Sequence, residues 1–169
     1  MTQTASRFLS EEEIELAKNE AGMIFWQDPE DVLVTIEQQK VEVWDPFRDA
    51  RETKEAQVVT FASSRPVPWR VASLQLVVAD ASRLCISGNH RMPCAHQVVE
   101  RAKMLESLRK LRRIIVDGWL IVLEFQSQLS CRELVRVINA FASGFMTDDD
   151  GIAVSDDQTR VAIRYGFYK

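Results

Sequence analysis

The longest uninterrupted apolar run of the chain, Trp119-Leu-Ile-Val-Leu123, has five residues. A run that short suits a strand buried on both faces and falls far below the roughly 20 residues of a membrane-crossing helix. The fold therefore has to be assembled from many short elements that bury one another. A chain of 169 residues, 46% hydrophobic and with a net charge of -4, has enough apolar side chains for one core and too little charge for intrinsic disorder. The expectation is a single domain over 1–169, with 1–8 as a flexible tail. No apolar stretch of secretory length precedes the acidic Glu11-Glu12-Glu13.

Two Ser-x-x-Glu spacings, Ser10 to Glu13 and Ser130 to Glu133, mark helix starts, because hydroxyl and carboxylate satisfy each other's backbone N–H groups. The first predicts a helix from 11 to 22 or slightly beyond, with Ile14, Ala17, Ala21 and Ile24 or Phe25 at helical spacing. The second predicts a helix carrying Leu134, Val137, Ile138 and Phe141 and closed by Gly144. Pro93, at a position suited to a first helical residue, predicts a third helix over 93–114.

Runs rich in β-branched residues predict strands at 58–61, 69–79, 83–87 and 119–125, and a carboxy-terminal hairpin of 152–154 with 160–168. Segments 32–36 and 41–44 read as a further hairpin around polar Glu37-Gln-Gln-Lys40, with a helix from Pro29 as the competing reading. The charged stretch 45–56 reads as a solvated loop or a short exposed helix. Together these elements predict an α+β fold, a mostly antiparallel sheet of five to seven strands with about three helices packed on it.

The net charge conceals an uneven distribution. Residues 1–55 carry 14 acids and 6 bases, whereas 83–113 hold eight bases and only Glu100 and Glu106. Such asymmetry marks a binding surface, unless the acidic front packs beside the basic stretch and settles the charge internally. Drawn as a helix, 93–114 places Lys103, Arg109, Lys110 and Arg113 on one arc, with Arg101 and Arg112 extending it and Leu105, Leu108, Leu111 and Ile115 on another side. That arc is the candidate surface for phosphates or for an acidic protein partner. Glu106 is placed to pair with Lys110 one helical turn away and so to neutralise part of it.

Cys85, His90, Cys94 and His96 lie within twelve residues and are the weak candidates for a metal site. Their order matches no zinc-finger or zinc-ribbon spacing, and a chain of this size needs no structural metal. Cys94 beside a helix start is also the candidate thiol nucleophile, although no orienting acid or oxyanion hole can be named with it. Three cysteines without scaffold spacing predict reduced thiols in a reducing compartment. The aspartates of 148–150 and 156–157 lack calcium-loop spacing and read as exposed turns. The four tryptophans read as core or rim packing.

The leading expectation is a small intracellular, cytoplasmic binding or adaptor protein without catalysis or cofactor. It acts through contacts with another protein or a larger assembly, with self-association open and no membrane contact. A nucleic-acid-associated accessory protein using the 93–114 helix is the second reading, and a Cys/His metal site or thiol enzyme the third.

Overall fold

Alternation along the strands sorts the apolar residues onto two faces of one sheet, and two different layers cover those faces. The computed structural model describes residues 7–48, 50–65, 72–81, 94–108, 110–142 and 151–165. Their order is α1 (Glu11–Phe25), β1 (Val32–Asp45), β2 (Ala50–Ser63), β3 (Ser73–Asp80), α2 (Ala95–Ala102), β4 (Leu111–Asp117), β5 (Leu120–Phe125), α3 (Cys131–Ala142), β6 (Ile152–Val154) and β7 (Arg160–Arg164). Short 3-10 segments occupy Pro29–Asp31 and Lys103–Leu108. The seven strands form one sheet in the order β1-β2-β3-β4-β5-β7-β6. Every neighbouring pair is antiparallel except β3 and β4, which α2 connects as a parallel crossover. The protein is thus α+β, as the sequence predicts.

Both capping boxes form. Ser10 Oγ accepts from the Glu13 N–H at 3.2 Å while Glu13 accepts from the Ser10 N–H at 3.0 Å. Ser130 and Glu133 repeat the exchange at 3.2 and 2.9 Å. The helices then lay Ile14, Ala17 and Ile24, Val98 and Val99, and Val137 and Phe141 against one face of the sheet, which supplies Phe61, Leu76, Ile114, Ile121, Leu123 and Ile163. Fully burying each of the larger side chains contributes about 1.5–3 kcal/mol. Tyr165 extends β7 under α3, its buried hydroxyl donating to the Phe141 carbonyl. Burial pushes the Tyr165 phenol pKa up, against the opposing charge of Arg101.

The second face presents Val58, Val77, Ile115, Leu120, Val122 and Ala162. Among the described residues no helix packs there. Its cover is the outer half of the β1–β2 hairpin, because β2 pairs with β3 only over 57–62 while β1 and β2 stay paired as far as Asp45 and Ala50. The surplus length folds back, placing Val41, Val43 and Ala56 in the second core with Trp44 and Phe47 at its margin. The Arg160 guanidinium of β7 lies 6.0 Å from the centroid of the Trp44 ring. Lys54 Nζ meets Asp117 Oδ2 at 2.6 Å, fixing this arm at the end of β4.

Four expectations are corrected. The 32–36 and 41–44 segments are one continuous strand: Glu37-Gln-Gln-Lys40 lies in its exposed middle and the hairpin turns after Asp45. The charged 45–56 stretch is mostly strand: it pairs with β1 over 50–56, where Arg51, Glu52, Thr53 and Glu55 remain exposed and of 51–56 only Lys54 and Ala56 are covered. The 93–114 helix ends as a regular helix at Ala102, and Leu111–Asp117 is a central strand with apolar side chains on both faces. Arg7 and Phe8 are anchored rather than trailing: the Ala81 N–H donates to the Arg7 carbonyl at 2.7 Å and Phe8 packs on the core. The expected strand at 83–87, the Pro93 helix start and the Gly144 helix end lie outside the described residues.

Ile114 and Ile115 sit on opposite faces of β4, so Ile114→Ala and Ile115→Ala should each lose about 2–5 kcal/mol in chemical denaturation. A near-neutral Ile115→Ala would show that the hairpin arm does not cover the second face. Burial alone would lower the Lys54 pKa, but its hydrogen bond to Asp117 and the charges of Asp117 and Glu52 outweigh this and raise it. The contribution of this pair is therefore complete below the ordinary lysine range and disappears only as pH climbs through the raised value. Asp117→Asn should cost about 1 kcal/mol near neutrality, a modest figure because the lysine is partly solvated, and much less in strong alkali.

Candidate functional site

The described basic residues singled out from the sequence are spread over α2, the 3-10 segment, β4 and the residue before it rather than along one helix. Arg101 is half-buried on α2 near Tyr165. Lys103, in the 3-10 segment, reaches Glu20 of α1 at 3.9 Å. Lys110 stands before β4 and meets Glu133 at 2.8 Å, which, through hydrogen bonding to Lys110 and to the Ser130 backbone, lowers the Glu133 pKa. Arg112 is exposed, whereas Arg113 contacts Glu124 at 2.8 Å across β4 and β5. Arg109 lies outside the described residues. A strand sends successive side chains to opposite faces, so the arc that a helix would have made is divided by β4. The nucleic-acid reading loses the continuous basic helix on which it was built.

The Cys/His cluster is also rearranged. Cys94 is the residue that caps α2, where its N–H donates to Gln97 Oε1 at 2.8 Å, and it is disulfide-bonded. A disulfide sulfur is neither a free nucleophile nor a thiolate ligand. The expectation of uniformly reduced cysteines is corrected with it. Cys131 is free and exposed at the start of α3. His96 is on α2, while Cys85 and His90 lie outside the described residues. Among the described residues no group of three or more His, Cys, Asp or Glu side chains is placed to hold a metal ion.

A cavity of about 230 Å³ lies where the hairpin arm meets the sheet, with Asp45, Arg48, Lys54, Asp80, Asp117 and Arg164 among its lining. Ligand pockets are usually larger, about 300–1,000 Å³, and mostly apolar. This one is polar and is bridged by the Lys54–Asp117 contact that holds the arm.

The amino-terminal surface has a different character. Seven large apolar side chains are exposed among the described residues, and five of them, Leu16, Met23, Trp26, Leu33 and Ile36, belong to α1 and β1. Leu16 and Met23 lie about 180° around α1 from its buried stripe. Met23 continues toward Lys103, whose Nζ is 4.0 Å from its sulfur, and so toward exposed Met104. Trp26, 70% exposed, ends α1 in a left-handed conformation at φ 55°, where the Gln27 N–H donates to Gly22 O at 2.9 Å. Glycine is needed at position 22, since a Cβ there would come 2.9 Å from the Gln27 carbonyl oxygen. The reading of the tryptophans as packing residues is corrected for Trp26.

Hydrogen bonds fix α1 antiparallel beside β1. Leu9 and the side chain of Gln57 exchange hydrogen bonds at one end, level with Gln38. At the other end Gln27 Nε2 donates to Ser63 Oγ at 2.6 Å, level with Val32. This brings exposed Glu11, Glu12 and Glu15 to the Glu37 end of the surface and exposed Asp28, Glu30 and Asp31 to the Leu33 end. Residues 10–37 contain nine acids and one base, Lys18. Charge counting along the sequence locates this acidity; the apolar residues exposed within it are not distinguishable from core residues until the packing is known.

No protein-family model, curated protein or solved structure matches the chain. No helix among the described residues is long and apolar enough to cross a membrane.

The cysteine assignments predict that a thiol reagent labels Cys131 in the native protein while Cys94 stays unmodified until a reductant is added. Mass mapping of the labelled peptides checks this, and labelling of Cys94 without reductant would contradict it.

Proposed function

We propose that the chain is a non-catalytic binding protein whose working surface is the acidic, partly apolar face built by α1 and the first half of β1. The observation that supports this reading is the concentration, between Glu11 and Glu37, of seven exposed carboxylates and five exposed large apolar side chains, of which Leu33 lies on the opposite face of the sheet. Single exposed hydrophobic residues are ordinary on protein surfaces, but a group of them within one charged segment is the usual composition of a contact surface. The acids set the sign of the partner's complementary face and speed encounter, and the apolar residues supply what is gained on closing the contact. The partner is therefore a protein with a basic, partly apolar region. Lys103, Lys110 and Arg113, paired with acids of other elements, serve internal charge balance in this reading.

Crosslinking followed by mass spectrometry on the wild type and on a Leu16→Ser/Met23→Ser variant tests the proposal. Both positions are exposed, so the variant should keep its native circular dichroism and lie within about 0.5 kcal/mol of the wild-type stability. It should lose a partner that the wild type recovers. Identical recovery by the two proteins, or no partner with either, would remove the reading.

A further inference from the structure

We propose that the outer edge of β1, between Leu33 and Gln39, receives an extended, basic segment of the partner protein, with an apolar residue on each of its faces, as an eighth strand of the sheet. The inference deepens the proposed function and rests on it for the acidic surface, but the edge itself is a separate observation.

β1 is the terminal strand, and among the described residues it pairs only with β2. Along such an edge alternate backbone N–H and C=O groups face outward, spaced to match another extended chain. Proteins that must leave an edge exposed usually blunt it with charged side chains, proline, a bulge or a very short strand. β1 carries the exposed charges of Glu37 and Lys40 but contains no proline, keeps an unbroken register with β2 from Val32 to Asp45, and is 14 residues long. Residues 35–40 are all exposed, on both faces of the strand.

The side chains beside this edge favour one kind of occupant. Leu33, 57% exposed, lies on the second face and Ile36, 50% exposed, on the helical face. One apolar contact on each side suits a guest that carries two apolar residues three positions apart, one on either face. The carboxylates of Glu11, Glu12, Glu15 and Glu37 stand at one end, and those of Asp28, Glu30 and Asp31 at the other. A second copy of the chain would bring two such acidic surfaces together, which like-charge repulsion opposes. A Lys- or Arg-bearing segment meets the opposite condition.

The probe is a displayed pool of random peptides of about ten residues, a length at the upper end of ordinary strands. Selection on the full chain is expected to enrich sequences that carry Lys or Arg with two β-branched residues three positions apart and lack proline. Their binding should weaken about tenfold or more as salt is raised, as expected for exposed charge pairs. Hydrogen exchange of backbone amides in 33–39 should slow on binding while the outer half of the hairpin is unchanged. Leu33→Lys/Ile36→Lys, both at exposed positions, should fold normally and lose the binding. Absence of enrichment, or unchanged binding by the double variant, overturns the inference. Protection confined to the Leu16 and Met23 face of α1 overturns it while leaving the proposed function in place. Self-association of the chain alone, with 33–39 protected, overturns it in favour of a homodimer.

Discussion

Ile114 and Ile115 are consecutive, point to opposite sides of β4 and are both buried. A central strand with this requirement cannot be satisfied by a single layer. Helices cover one side because three amphipathic segments are available, and the second side must then find its cover among the strands. The unusual length of the first hairpin answers that requirement. At about 3.3 Å per residue a 14-residue strand spans about 46 Å, more than the sheet can use, and the excess becomes a lid of the same secondary structure. The Lys54–Asp117 contact and the Arg160–Trp44 contact both lie where that lid meets the sheet.

Packing also decides what becomes of the uneven charge. The acidic amino-terminal part supplies Glu20 to Lys103, and acids from later elements meet Lys110 and Arg113. Lys103, Lys110 and Arg113 of the basic stretch are thereby paired within the molecule. Of the acids that remain outward, seven lie between Glu11 and Glu37, on α1, the 3-10 segment after it and β1. A chain whose total is only -4 can thus concentrate exposed acids in one segment.

Local chemistry was the most legible part of the sequence. The Ser10 and Ser130 capping boxes depend on residues three apart, and the final hairpin is bounded by a polar turn in which Asp157 accepts from Ser155 and Thr159. Those hydrogen bonds, first from Ser155 and then from Thr159, lower the Asp157 pKa to about 2. Leu105, Leu108, Leu111 and Ile115 misled because their spacing agrees with a helix, while Ile114 and Val116 fill the positions that a strand buried on both faces also needs. Glu37-Gln-Gln-Lys40 misled in the opposite direction: edge position permits a polar segment to remain strand. Of the candidate site, the acidic sign was visible in the sequence. The free edge was not, since strand order is a property of the assembled sheet.

The parallel pairing of β3 with β4 also sets an order of assembly. On one side of it β1, β2 and β3 form an antiparallel unit in which each strand joins its predecessor; on the other, β4 and β5 close through the turn at Gly118, and β6 and β7 through their own hairpin. These pairings need only short loops. The β3–β4 and β5–β7 seams each join strands separated by a helix and its connections, so their loop-closure entropy is greater and they form after the local pairings. Folding is therefore the meeting of three locally closed units across two seams.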